Sequence, residues 1–340
     1  MPATPPSRPL SLFFLLLCLP ALSIQSSLPE TTATRKDSAH TGLRVSKRSF
    51  LPLSWSWPWS RGQKRATELP AGYFNPLDAG GSFLTKAPNT FPPSGEPLNI
   101  IITSPSTPAV LANQEQDGGF LNYMLGIGFS GECLGQHQGD SQTADLGDGD
   151  GYKNETAVLR WNYGDPALGT CTETIKGGNH FRYWYQNGPN ANSSAIFLAT
   201  SYEMPIAQQH DIIPDGYNLG RDWLIGNITH SPIDTYNLTN TSTFTGTTSS
   251  AGYVYSSSIS YVSGLLANSS IGVNHNNTVP VKGLNAVDGL VAVVEVTITT
   301  IPANATKGKS GTCKTVSVVP PRITSAIAGI IILFLGALSL

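Results

Sequence analysis

The stretch GGNHFRYWYQNGPNANSSAIFLATSYEMPIAQQHDIIPDGYNLGRD, residues 177–222, decides the fold of this chain. From His180 to Gln186 the period is two. His180, Arg182, Trp184 and Gln186 share one face of a strand, and Phe181, Tyr183 and Tyr185 share the other. A turn at Asn187, Gly188, Pro189 and Asn190 leads into a partner strand over residues 195–204, so the two form a hairpin-like pair. After a second turn at Pro214, Asp215 and Gly216, a helix is predicted to begin near Asn218 and to carry Arg221, Trp223, Leu224, Ile225 and Ile228. The first strand face is unusually polar. The same stretch holds His180, Arg182, Glu203, His210, Asp215, Arg221 and Asp222, most of the side chains in the chain able to do more than fold.

Working outward toward the N-terminus, residues 155–163, ETAVLRWNY, alternate enough to be a strand. Residues 98–103, LNIIIT, are a continuous β-branched run of the length of a buried strand. Thr107 and Pro108 then offer an N-cap and a first helical position, and Phe120, Leu121, Met124 and Leu125 continue a helical stripe after Gly118 and Gly119. Between these elements lies an acidic, glycine-rich loop. Asp145, Asp148 and Asp150 are hard oxygen donors of the kind Ca²⁺ takes, but the spacing is not that of an EF-hand, and the loop is read as a solvated turn. Residues 66–97 are a Pro/Gly-rich lead-in that packs on the domain without regular structure.

Toward the C-terminus, residues 229–279 are dominated by Ser, Thr, Asn and Gly, a composition that builds no core by itself and reads as an insertion. The strand LVAVVEVTI, residues 290–298, closes the domain. The expected fold is α+β, a single compact domain over residues 98–301 with a mixed or antiparallel sheet and a few short helices.

Both ends look like processing segments. Residues 1–23 have the short apolar core and small-residue site of a signal peptide, and residues 24–65 are a basic pro-segment or linker with dibasic pairs at Lys47-Arg48 and Lys64-Arg65. Residues 302–322 form a spacer. Residues 323–340 are an uncharged apolar tail, preceded by small residues at Ser310 and Gly311; that order is the signal for a GPI anchor, with a transmembrane tail as the rival. The expected location is the extracellular face of the plasma membrane or the cell wall. Attachment at Ser310 or Gly311 removes Cys313, and Cys18 leaves with the signal, so Cys133 and Cys171 are expected to form a disulfide. Sequons stand at Asn154, Asn192, Asn227, Asn237, Asn240, Asn268, Asn276 and Asn304, consistent with a secreted glycoprotein.

The formal net charge of −2 averages unlike parts. Residues 66–310 hold nine Lys or Arg against twenty Asp or Glu, a net of −11, which repels phosphate backbones and excludes a nucleic-acid partner.

His180-x-Arg182-x-Trp184, the strand end Ala199-Thr200-Ser201-Tyr202-Glu203, His210-x-x-x-Pro214-Asp215 and Arg221-Asp222 together resemble the C-terminal domain of bacterial LssY proteins, and the wording GGNHFRYW and GYNLGRDWLIGN resembles uncharacterised secreted fungal proteins. The resemblance spans roughly residues 98–227 and implies an α+β domain with no settled chemistry.

The candidate catalytic residues are His180, His210, Asp215, Arg221 and Asp222; the candidate ligand-binding residues are Arg182, Trp184 and Glu203. His180 and His210 with Asp215 or Asp222 are suitable metal ligands, while Arg182 and Arg221 suit a phosphate or carboxylate beside a histidine acid or base. The same residues also suit a buried network that orders strands and helix. No His-Glu-x-x-His or Gly-x-Ser-x-Gly motif names a metal, cofactor or nucleophile. Two functions follow as expectations. One is a surface glycoprotein binding a wall glycan or other surface ligand, with Tyr183, Trp184, Tyr185 and Trp223 as stacking platforms. The other is a surface hydrolase acting on phosphate or ester groups.

Overall fold

Strand β1 (Leu98–Ile102) is buried at every position, and the reason is its place near the middle of an eight-stranded sheet with a core on each face. The computed structural model describes Leu69, residues 71–137, residues 139–303 and Ala305. The signal peptide, basic segment, Asn304, anchor site and apolar tail expected from the sequence lie outside these residues. Among the described residues no helix is long and apolar enough to cross a membrane.

The other strands are β2 (Phe129–Gly131), β3 (Thr143–Asp145), β4 (Tyr152–Asn154), β5 (Ala157–Trp161), β6 (Gly178–Asn187), β7 (Asn192–Glu203), β8 (Thr243–Ser250), β9 (Tyr253–Ser263) and β10 (Leu290–Thr300). The helices are α1 (Phe120–Gly126), α2 (Gly169–Lys176) and α3 (Gly216–Thr229). The main sheet runs β2-β5-β6-β7-β1-β10-β9-β8, with β3 and β4 as a separate ribbon. Among the described strands of the main sheet only β1 and β10 pair in parallel; the remaining pairs in it are antiparallel. This is the expected α+β domain with a mixed sheet.

The period of two holds through β6. Phe181 and Tyr183 enter a core shared with Ile100, Ile102 and Leu198, which α1 and α3 cover with Phe120, Met124, Leu224 and Ile225. Trp184 enters the opposite core with Ile101 and Phe197, covered by Tyr73 and Phe83 of the lead-in and by Val287. The lead-in thus packs on the domain as expected, with one 3₁₀ turn at Pro76–Ala79.

Three expectations are corrected. Thr107 caps no helix: its Oγ1 accepts from Ile298 N–H at 3.0 Å and its own N–H donates to Val296, so the segment is spent on the edge of β10. Residues 229–279 are not a coreless insertion. They contribute β8 and β9, in which Tyr253, Tyr255, Ile259 and Tyr261 alternate inward. Large side chains at every second position suffice for a core face even when the intervening residues are serine. The acidic loop is not a simple solvated turn either. Asp148 is buried, and Lys153 Nζ lies 2.8 Å from Asp148 Oδ2 and 3.1 Å from Asp150 Oδ2, so an internal ammonium fills the place a cation would take. Burial raises the Asp148 carboxyl, but Lys153 and backbone N–H groups outweigh it and hold the group below its ordinary range.

A register shift between Leu98 and Ile100 in the β1–β7 pairing is plugged by a side chain. Asn99 Nδ2 donates to Thr200 O at 2.9 Å and Tyr217 O at 3.0 Å, while Oδ1 accepts from Thr200 N–H at 3.0 Å. One amide therefore repairs the sheet and fastens α3 to it. Asn99→Ala is expected to cost about 3 kcal/mol or more, since each buried polar group left unpaired costs about 1–3 kcal/mol; the shift in urea midpoint checks this.

Candidate functional site

Cross-strand register sets a polar row into the sheet: Arg160 on β5 lies opposite His180 on β6, which lies opposite Ser201 on β7. Glu203, two residues further along β7, projects from the same face opposite Gly178. The glycine leaves room that α2 uses. A Cβ at Gly178 would stand 2.8 Å from Glu173 Cγ, so the Glu173 side chain lies directly over the strand. The disulfide Cys133–Cys171 ties α2 to the turn beside Glu132, two residues before Glu173. The loop after β7 turns back through Met204 N–H to Asp211 O and delivers His210.

At the centre Arg160 Nη1 donates to Glu203 Oε2 at 2.8 Å and to Glu173 Oε2 at 3.0 Å, and Nε donates to Glu132 Oε1 at 3.4 Å. His180 Nε2 lies 3.5 Å from Glu203 Oε1 and 3.4 Å from Ser201 Oγ. His210 Nδ1 lies 3.4 Å from Glu203 Oε2. Glu173 and His180 have almost no exposed surface; His210 is the most open member, its side chain 25% exposed.

Burial dictates the protonation pattern. It pushes His180 down to about 3, more than Glu203 can offset, so the ring is neutral at pH 7. It pushes Glu173 up to about 7 against the pull of Arg160. Burial also acts to raise Glu203, but positive neighbours overcome it and hold that carboxyl well below its ordinary range. With His180 neutral, Arg160 is the permanent charge that does this, and His210 adds a hydrogen bond. The interaction with Glu203 in turn raises His210.

No protein-family model, curated protein or solved structure matches this chain. The chemistry of the site rests on its own residues. The structure brings together His180, Glu203 and His210, and adds Arg160 and Glu173, which the sequence reading missed. Arg160 had a signal, an arginine inside the otherwise apolar strand ETAVLRWNY; Glu173 had none in its own helix.

Asp215, Arg221 and Asp222 are not part of this cluster, which corrects the proposed metal set. They form a second network on α3. Arg221 Nε and Nη2 donate to Asp222 at 2.7 and 2.8 Å, Nη1 and Nη2 each donate to Asp288 at 2.8 Å, and Nη1 also donates to Leu290 O at 2.7 Å. Tyr261 Oη donates to Asp222, Asn218 Nδ2 donates to Asp215, and Asp288 N–H donates to Asn218. All five guanidinium N–H groups of Arg221 are used, which leaves none for a phosphate. Arg182 is buried, and its Nη1 donates to Glu155 Oε1 at 2.8 Å. Trp184 and Tyr183 are buried in the two cores and cannot stack on a ligand; Trp184 Nε1 donates to Lys153 O.

Trp223 does reach a surface. With Trp161, Tyr163, Tyr202 and Ile233 it lines an open cleft of about 1040 Å³ that also holds Asn162 and His230. The Trp161 and Trp223 rings meet edge to face with centroids 4.6 Å apart, and Tyr202 meets Trp223 at 6.1 Å. Trp161 can lie against the chain because Gly128 has no side chain: a Cβ there would stand 2.1 Å from the indole. Since Trp161 and Tyr202 adjoin Arg160 and Glu203 in sequence, the cleft and the charged cluster lie on opposite faces of the same strands.

The pH dependence of stability follows from these shifts. Between pH 6.5 and 4.5 the unfolded chain binds a proton that native His180 lacks, and native Glu173 binds one that the unfolded chain lacks. These cancel. Below about pH 4.5 unfolded Glu173 is protonated too, so the His180 deficit stands alone and depressed Glu203 adds to it, each removing about 1.4 kcal/mol per pH unit. Glu173→Gln removes the compensating proton. Chelator-treated wild type should hold its urea midpoint down to about pH 4.5 relative to the variant, whose decline should begin near pH 6.5.

Proposed function

We propose that this chain is a secreted, N-glycosylated cell-surface protein, held by a C-terminal lipid anchor, whose domain binds carbohydrate of the wall or of a neighbouring cell. The observation that carries the binding reading is the cleft walled by Trp161, Tyr163, Tyr202 and Trp223. Indole and phenol rings offer flat apolar faces for the C–H faces of sugar rings, and Asn162 and His230 supply polar groups for hydroxyls. The surface reading draws on the sequons. Asn154, Asn192, Asn237, Asn240, Asn268 and Asn276 are exposed, and Asn227 is half-buried at the cleft. The disulfide suits an oxidising compartment. The resemblance to LssY C-terminal domains belongs to this reading as a matter of fold and adds no chemistry.

A surface hydrolase acting on phosphate or ester groups is the second reading. It draws on the half-open His210 beside Glu203, a pair with solvent access.

Trp223→Ala is expected to weaken binding to wall oligosaccharides at least tenfold in titration calorimetry, with far-ultraviolet circular dichroism unchanged; wild type that binds none of a panel of wall glycans overturns the carbohydrate reading. For the anchor, phosphatidylinositol-specific phospholipase C should release the protein from intact cells into the medium, and retention after confirmed enzyme action points to a transmembrane tail instead.

A further inference from the structure

We propose that Glu173, His180 and Glu203 form a buried site for one divalent transition-metal ion, zinc by preference. The proposal is independent of the carbohydrate reading, which concerns the other face of the sheet.

Each of the three residues offers a donor atom, and these atoms lie within 4.8 Å of one another. The His180 Nε2 to Glu203 Oε1 separation of 3.5 Å is close to the roughly 3.4 Å between two ligands of a tetrahedral zinc ion with bonds of about 2.1 Å. Arg160 explains which oxygens are left over. It binds Oε2 of both carboxylates, which leaves Glu203 Oε1 to face the histidine and Glu173 Oε1 unbound. A guanidinium holding the outer oxygen of a ligating carboxylate is the outer-shell support that metal sites use.

A second observation points to a missing partner. Glu173 Oε1 is buried without a hydrogen-bond partner, in a side chain with no exposed surface. Buried polar atoms are nearly always satisfied, and an orphaned carboxylate oxygen within a set of donor atoms marks a place where an ion binds. Three carboxylates, Glu132, Glu173 and Glu203, converge on the guanidinium of Arg160, with His137 and His210 as the other basic groups at their rim. One imidazole and two carboxylates suit zinc and manganese and are poor for copper(I), which prefers sulfur. His210 stands at the open side, where an ion enters, and a water or the His210 ring completes the coordination. The ligand Glu173 is held two residues from Cys171, so the disulfide also fixes one wall of the site.

The test is elemental analysis of the full-length protein, purified in detergent without chelators, followed by chelation and titration with zinc chloride. The expected result is close to one zinc per chain, a rise in melting temperature on zinc addition, and at least a tenfold weaker zinc affinity in Glu173→Gln and His180→Gln. His275→Asn, which removes the separate His275–Asp211 ion pair, should bind zinc as wild type does. Folded wild type that retains no metal, and whose melting temperature does not respond to zinc or manganese, overturns the proposal; so does equal zinc affinity in wild type and Glu173→Gln. Should both variants fail to fold, cobalt-loaded wild type decides. A visible absorption band of four-coordinate cobalt supports the site, and a spectrum that matches cobalt free in buffer overturns it.

Discussion

A guanidinium with no exposed surface is costly to bury, and the fold is arranged so that Arg221 never lacks a partner. Asp222 beside it, Asp288 before β10 and the Leu290 carbonyl at its start take all five N–H groups. Tyr261 of β9 binds Asp222 from the far side. Helix α3 is thereby fixed to β9 and to the start of β10, and Asn99 fixes its first turn to β1. Removing one carboxylate would leave a buried charge uncompensated, which is why such networks hold one geometry tightly even when their net contribution to stability is small.

The same economy governs the Arg160 cluster, with a difference. Arg221 is fully met by its neighbours, whereas around Arg160 three carboxylates converge and Glu173 Oε1 stays unmet. A guanidinium with every N–H met explains itself as architecture. A cluster with an unmet carboxylate oxygen, roofed by a disulfide-tethered helix and open at His210, is better suited to receive something.

Much of the fold was legible because its strands obey simple periods. The alternation in residues 180–186 announced β6 and its two faces, and the apolar runs at residues 98–103 and 290–298 announced β1 and β10. Strand β9 was hidden because serine fills most of its middle and its inward positions are mainly tyrosine, with Ile259 the one aliphatic residue among them. The candidate site was half legible. His180, Glu203 and His210, crowded along the chain, also lie together in the fold, though the sequence reading sets Glu203 apart from the two histidines, while Asp215, Arg221 and Asp222 are carried by the turn before α3 into a different network. Arg160 and Glu173 are joined to the site by register and by a disulfide, relations that no local pattern records. Trp184 shows the complementary error: a large aromatic on a polar strand face was read as a platform, yet both faces of this sheet are covered.

The pairing of β1 with β10 also sets a timetable. The second strand of the domain's central pair is among its last residues, separated from its partner by about 190 positions. During synthesis β1 can meet β7 and the hairpin of β6 and β7 can form, but one edge of β1 stays bare until residue 290 and beyond have emerged. The growing chain therefore carries this fully buried strand unsheathed for most of its translation, which makes this domain a long-lived client for folding helpers and a poor candidate for function in any C-terminally shortened form.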